Sequence, residues 1–259
     1  MSEISDTSQT HSLNHSLAYM NKEFITHPEL CAQRISLECL KVEMALQEYG
    51  IQSTVVLFGG ARIPEPGKGA WAAKNDLQKK NLQAMSNYYD EAREFARLCS
   101  CYSATTKYQD FVVVTGGGPG IMEAGNRGAF DVGAPTIGLN IVLPHEQVPN
   151  NYVTPKLCFN FHYLGIRKMH FLMRAKAFAI FPGGFGTLDE LFETLTLMQT
   201  GRIKKIPILM FGKEFWTNVI NLDYLFVQGV ISGPDVALVQ FVDTAKEAFE
   251  SIQSFYKLA

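Results

Sequence analysis

The sequence predicts an α/β protein built on a doubly wound parallel sheet with helices on both faces. Short apolar, β-branched runs alternate with stretches of helical spacing along the chain, and three of those runs end in glycine clusters. Length agrees. With 259 residues, 47% of them hydrophobic and 19% charged, the chain can close one large core, which suits one sizeable α/β domain better than two small ones.

Residues 1–20 read as an N-terminal tail, disordered or loosely attached, and residues 21–259 as a single domain. Met1 to His15 is polar and lacks the basic start and apolar stretch of a signal peptide, and His11 and His15 read as part of this tail rather than as metal ligands. Pro28 stands where a first helical residue would, and Leu37, Leu40 and Met44 recur at helical spacing until Gly50 offers a stop. Ser53 to Phe58 is a buried parallel strand ending in Gly59-Gly60. A loop with Pro64, Pro66, Gly67 and Gly69 leads to one long helix with Met85, Tyr88, Ala92, Phe95 and Cys99 on a shared face.

The pattern repeats from Phe111 to Thr115, which runs into Gly116-Gly117-Gly118-Pro119-Gly120, a helix through Ala129 and a strand over 136–141. Leu157 to Tyr163 reads as extended, Gly165 to Arg174 as helix, and Ala177 to Phe181 as a strand ending in Pro182-Gly183-Gly184-Phe185-Gly186-Thr187. Leu188, Leu191, Phe192, Leu195 and Met198 stripe the next helix, which stops at Gly201 before Arg202, Lys204 and Lys205. Ile206 to Phe211 makes a further strand, and a last helix starts near Asp243. Together these form a modified Rossmann-like arrangement.

Composition excludes several functions. A formal charge of −2 gives no basic field for a nucleic-acid partner. The five scattered cysteines form no Cys-x-x-Cys pair and read as reduced thiols, and no apolar run is long enough to span a membrane. The expected location is cytoplasmic.

Chemistry is expected at the carboxyl ends of the strands, where glycine lets the backbone approach an anion and the following helix supplies free N–H groups and its positive end. Gly116, Gly117 and Gly118 form one such phosphate-binding loop. Gly183, Gly184, Gly186 and Thr187 form another. Neither cluster completes Gly-x-Gly-x-x-Gly, and the strand that should end in a ribose-binding acid ends near Asn140, so NAD binding is not indicated; no Walker loop exists. Glu190 lies three residues after Thr187, in the first turn of the helix that would hold phosphate. Spacing alone leaves two readings for it, a catalytic base beside the ligand or the second half of a Thr187-x-x-Glu190 capping box. Asp189 and Glu193 point elsewhere on that helix and read as structural. Arg167-Lys168 could serve the same face or simply sit on a solvated surface, Glu123 in the first turn after Pro119 suits a helix N-terminus on dipole grounds alone, and Arg62 is ambiguous in the same way.

The run Pro182-Gly183-Gly184-Phe185-Gly186-Thr187-Leu188-Asp189-Glu190 resembles the Pro-Gly-Gly-x-Gly-Thr-x-x-Glu signature of the LOG (Lonely Guy) family, whose members hydrolyse nucleoside 5′-monophosphates. Gly116 to Ala124 resembles that family's other glycine motif, Arg167-Lys168 its arginine-lysine pair, and Phe58 to Arg62 its first loop. The motifs fall in order between Ser53 and Gly212. Gly60 stands where many relatives have serine, and Leu139 to Glu146 resembles the longer bacterial group. Relatives often carry the label lysine decarboxylase, but nothing in the sequence marks a pyridoxal phosphate site.

The resemblance implies Glu190 and Arg167 as catalytic, both glycine loops as phosphate-binding, and a homodimer or higher homo-oligomer. Gly60, Arg62, Met122, Glu123 and Lys168 become candidate substrate contacts. It implies hydrolysis of the N-glycosidic bond of AMP or an N6-modified AMP such as a cytokinin ribotide, with neither metal nor redox cofactor. The alternatives are a non-catalytic nucleotide sensor with the same phosphate cradle and, below it, a phosphoribosyl transferase.

Overall fold

The computed structural model describes residues 7–142 and 148–258. Its chain divides into two units, Met1–Met44 and Ala45–Ala259. In the first, 3-10 turns at Leu13–His15 and Ala18–Met20 precede α1 (Lys22–Ile25), whose Phe24 N–H is capped by the Asn21 side chain. Pro28 opens a further 3-10 turn, as its fixed φ favours, and the chain enters α2 (Cys31–Glu48).

The second unit holds the sheet. In chain order it contains β1 (Thr54–Phe58), α3 (Asp76–Ala84), α4 (Asn87–Thr105), β2 (Val112–Thr115), α5 (Ile121–Phe130), β3 (Thr136–Ile141), β4 (Cys158–Phe161), α6 (Leu164–Met173), β5 (Ala175–Ile180), α7 (Phe185–Gln199) and β6 (Ile208–Phe211). Short helices α8 (Lys213–Val219), α9 (Leu222–Val227) and α10 (Gly233–Val236) precede β7 (Val239–Val242) and α11 (Ala245–Tyr256). No described helix is long and apolar enough to cross a membrane.

All seven strands are parallel, in the order β4-β3-β2-β1-β5-β6-β7. The expected doubly wound sheet is therefore observed. The chain builds outward from β1 to β4, then returns to the other side of β1 with β5, so strand order reverses between β1 and β5, where Val56 pairs with Phe178 and Phe58 with Ile180. Such a reversal opens a crevice at the strands' carboxyl ends.

Side-chain alternation divides the core between two faces. Val55, Leu57, Val113, Ala177, Ala179 and Leu209 pack with Phe95 and Cys99 of α4, Ile121 and Ala124 of α5, and Ala248 and Ile252 of α11. On the opposite face Phe58 meets Phe171 of α6 edge-on at 4.8 Å and stacks with Phe178 at 5.9 Å.

One expected element is corrected. The single long helix through Met85 and Cys99 is two helices, because α3 closes with Met85 as its C-cap and α4 restarts at Asn87. Ser86 and Asn87, residue types that favour caps over helix interiors, occupy the break. Of the stretch 139–146, residues 143–146 lie outside the described residues.

Candidate functional site

Three loops leave β1, β2 and β5 at the reversal and are knitted together through their backbones. Gly60 N–H donates to the Pro182 carbonyl at 2.9 Å, and the Gly60 carbonyl accepts from Ile121 N–H at 3.3 Å. A Cβ on Gly59 would sit 2.6 Å from the Ile121 side chain, and one on Gly120 would run into the Gly60 carbonyl. These glycines serve loop-to-loop packing. Together the loops enclose a cavity of about 320 Å³ lined in part by Gly60, Gly116, Met122, Arg167, Gly184, Gly186, Thr187 and Glu190.

The β5–α7 turn supplies the polar wall. Helix α7 starts at Phe185 with Gly184 as N-cap, and its first helical bond runs from Leu188 N–H to the Gly184 carbonyl at 3.0 Å. The amides of Phe185, Gly186 and Thr187 thus have no acceptor within the helix, at its positive end. Gly184 and Gly186 leave open space where side chains would otherwise stand. Gly183 is different: a Cβ there would collide with the Thr187 hydroxyl, so Thr187 packs beneath the turn.

This helix start removes one of the two readings of Glu190. Because Gly184 is the cap, Thr187 is the third helical residue and Glu190 the sixth, in the second turn rather than the first, and the Thr187-x-x-Glu190 capping box does not form. Glu190 is instead 6% exposed and lines the cavity. Burial pushes its pKa up to about 7, against the opposing charges of Arg167 and Lys168.

Arg167 projects from α6 into the same cavity. Its Nε donates to the Leu139 carbonyl at 2.7 Å, and its guanidinium lies 5.1 Å over the Phe171 ring. Burial lowers its pKa, and the Glu190 charge pushes back. Gly116 gives it room: a Cβ there would stand 2.6 Å from Arg167 Nη2 and 2.8 Å from Met122 Sδ.

The other expected site residues separate. Gly116 lines the cavity, but Gly117 N–H donates to the Thr115 hydroxyl at 2.9 Å and so faces inward; the Gly117 and Gly118 carbonyls accept from the Asn150 amide at 3.1 and 3.0 Å. Lys168 is held between Asp189 and Glu193, each at 3.0 Å, and braces α6 against α7. Glu123 accepts from the Tyr89 hydroxyl at 2.8 Å. Arg62 is exposed and borders an adjoining apolar cavity of about 520 Å³ with Leu82, Met85 and Phe215. Asn126 and Asn150 are not legible in the sequence: no motif singles them out, and their partners, Thr115 and Thr136 for Asn126 and Gly117 and Gly118 for Asn150, lie 10 to 33 residues away. Among the described residues no three His, Cys, Asp or Glu side chains gather as a metal site.

Known proteins resemble the chain in sequence and in fold. The family model described as possible lysine decarboxylase matches residues 122–252, just over half of the chain. Cytokinin riboside 5′-monophosphate phosphoribohydrolase LOG3 of Arabidopsis thaliana is 26% identical over 183 residues, covering 62% of this chain and 84% of that protein. LOG4 of the same plant is 25% identical over 192 residues, covering 66% and 88%. The X-ray structure of TM1055, a structural genomics target, has the same fold, with a TM-score of 0.50 at 19% identity, covering 78% of this chain and 99% of that one. A family match of that extent, with the glycine, arginine and glutamate motifs converging on one crevice, means that the chain belongs to the LOG family.

Proposed function

We propose that the protein hydrolyses the N-glycosidic bond of a purine nucleoside 5′-monophosphate, AMP or an N6-modified AMP of the cytokinin ribotide type, to free base and ribose 5-phosphate. The observation that carries this reading is the buried Glu190 carboxylate, which lines one cavity with Arg167 and the open N-terminus of α7. Relatives named as phosphoribohydrolases of cytokinin riboside 5′-monophosphates support it.

In this reading the 5′-phosphate rests on the amides of Phe185, Gly186 and Thr187, whose dipoles favour an anion. As the bond from C1′ to the base breaks, its electron pair leaves with the base and C1′ becomes oxocarbenium-like. Ionised Glu190 stabilises that charge and takes a proton from the water that adds to C1′. With a pKa near neutrality, Glu190 gives up that proton at little cost, through solvent to the departing base, which leaves as neutral base and restores the ionised carboxylate for the next turnover. Arg167, fixed by the Leu139 carbonyl and the Phe171 ring, orients ribose or phosphate oxygens. The protein would act in the cytoplasm, as its composition leads one to expect, and as a homo-oligomer, as the family resemblance implies.

The test is incubation of purified protein with AMP, other nucleoside monophosphates and isopentenyladenosine monophosphate, with free base and ribose 5-phosphate followed by chromatography. Both products are expected, with turnover largely abolished in Glu190→Ala while AMP binding persists. Tight binding without release from the wild-type protein would instead identify a nucleotide sensor.

A further inference from the structure

The β2–α5 glycine loop is held from behind by a buried polar network. The Thr115 hydroxyl donates to Asn126 Oδ1 at 2.7 Å and accepts Gly117 N–H at 2.9 Å. Asn126 Nδ2 donates to the Thr136 hydroxyl at 2.8 Å and to the Ile137 carbonyl at 3.3 Å, and that hydroxyl donates to the Val113 carbonyl at 3.1 Å. Thr115, Asn126 and Thr136 are each 0% exposed. From the β3–β4 connection, Asn150 completes the set. Its amide reaches the Gly117 and Gly118 carbonyls and, at 2.9 Å, Asn126 Oδ1, while its backbone N–H donates to the Gly117 carbonyl at 2.8 Å.

We propose that Asn126, Asn150 and Thr115 are positioning residues: they fix the Gly116–Gly118 loop so that Gly116 forms the wall against which the Arg167 guanidinium is set. Three features point to this role rather than to core stability alone. The network ends on loop backbone atoms and not only on strands. It turns Gly117 N–H inward, so this stretch acts as a wall and not as an anion cradle. It also joins the loop to the β3–β4 connection, the strand of which supplies the Leu139 carbonyl that holds Arg167 Nε. A buried network satisfied on every side specifies one geometry, since any slip leaves polar groups unpaired. Phosphate affinity, by contrast, resides in the α7 amides, outside this network.

The kinetic arm of the test rests on the hydrolysis proposed above; the exchange arm does not. Asn150→Asp replaces the donating amide with a carboxylate oxygen facing three acceptors, and Thr115→Val removes the hydroxyl at constant shape. Thr115→Ser retains it. Hydrogen exchange of the Gly117 amide, followed by NMR on nucleotide-free protein, is expected to be slow in wild type and in Thr115→Ser, and roughly tenfold faster or more in the other two. With AMP, kcat is expected to fall roughly tenfold or more in Asn150→Asp and Thr115→Val, with KM little changed, as misplacement of an orienting group predicts. Unchanged Gly117 exchange in both variants would overturn the proposal. So would equal acceleration of the β2 and β3 amides, which would assign the network to the sheet. If wild type hydrolyses no nucleotide, the function above fails, and Gly117 exchange alone still decides this role.

Discussion

Glu190 illustrates how a residue acquires chemistry from its surroundings. On an exposed helix it would titrate in the usual carboxylate range, but burial at the head of the crevice brings its pKa to about 7. If the ionised form is the base, kcat/KM should rise with pH along an acid limb whose apparent pKa lies near 7 and then level off; a limb near 4.5, or none, would remove Glu190 from that role. Gly116 gives a second residue-scale prediction. Gly116→Ala forces the Arg167 guanidinium aside, since its new methyl would lie 2.6 Å from Nη2. A displacement of that order should lower kcat by about 100-fold while circular dichroism stays unchanged. Wild-type turnover in this variant would mean that Arg167 need not lie where it is found.

Among the elements, the glycine loops separate into two kinds that composition alone does not distinguish. Gly120 has φ of +67° and faces the Gly60 carbonyl, a backbone atom that cannot rotate away. Gly120→Ala should therefore cost about 2 to 5 kcal/mol in urea unfolding, from the left-handed backbone and the overpacking together. Gly186 faces open space, so Gly186→Ala should change stability by only about 0.5 kcal/mol and act instead on phosphate affinity. Equal stability losses in the two would contradict this division. The strands were legible because β-branched apolar runs ending in glycine have few other readings, and the motifs placed Glu190, Arg167 and the α7 turn in one crevice. What stayed hidden needed contacts: the inward Gly117 amide depends on Thr115, Asn126 and Asn150, and Glu123 and Lys168 are occupied by partners 34 and 21 residues away. The start of α7 is hard to place from sequence because Gly184 caps it without a side chain, whereas Thr187 has the side chain of a cap.

At the scale of the whole molecule, the crevice sets a cost that the rest of the sheet must carry. A carboxyl with a pKa of about 7 in the folded chain and near 4.5 when unfolded binds more protons in the folded state between those values. Stability therefore falls as pH rises through that window, and it is flat below about 4.5 and above about 7 as far as this group is concerned. The shift corresponds to about 3 kcal/mol. Glu190→Gln keeps the shape but never ionises, so it should be more stable than wild type by up to that amount at pH 8, with the advantage shrinking toward zero near pH 4. Thermal or urea unfolding of both proteins across this range checks the expectation, and a pH-independent difference would show that Glu190 is not held in a setting that disfavours its charge. The same variant should be inactive. A gain in stability coupled to a loss of turnover is the signature of a buried acid kept for chemistry rather than for folding.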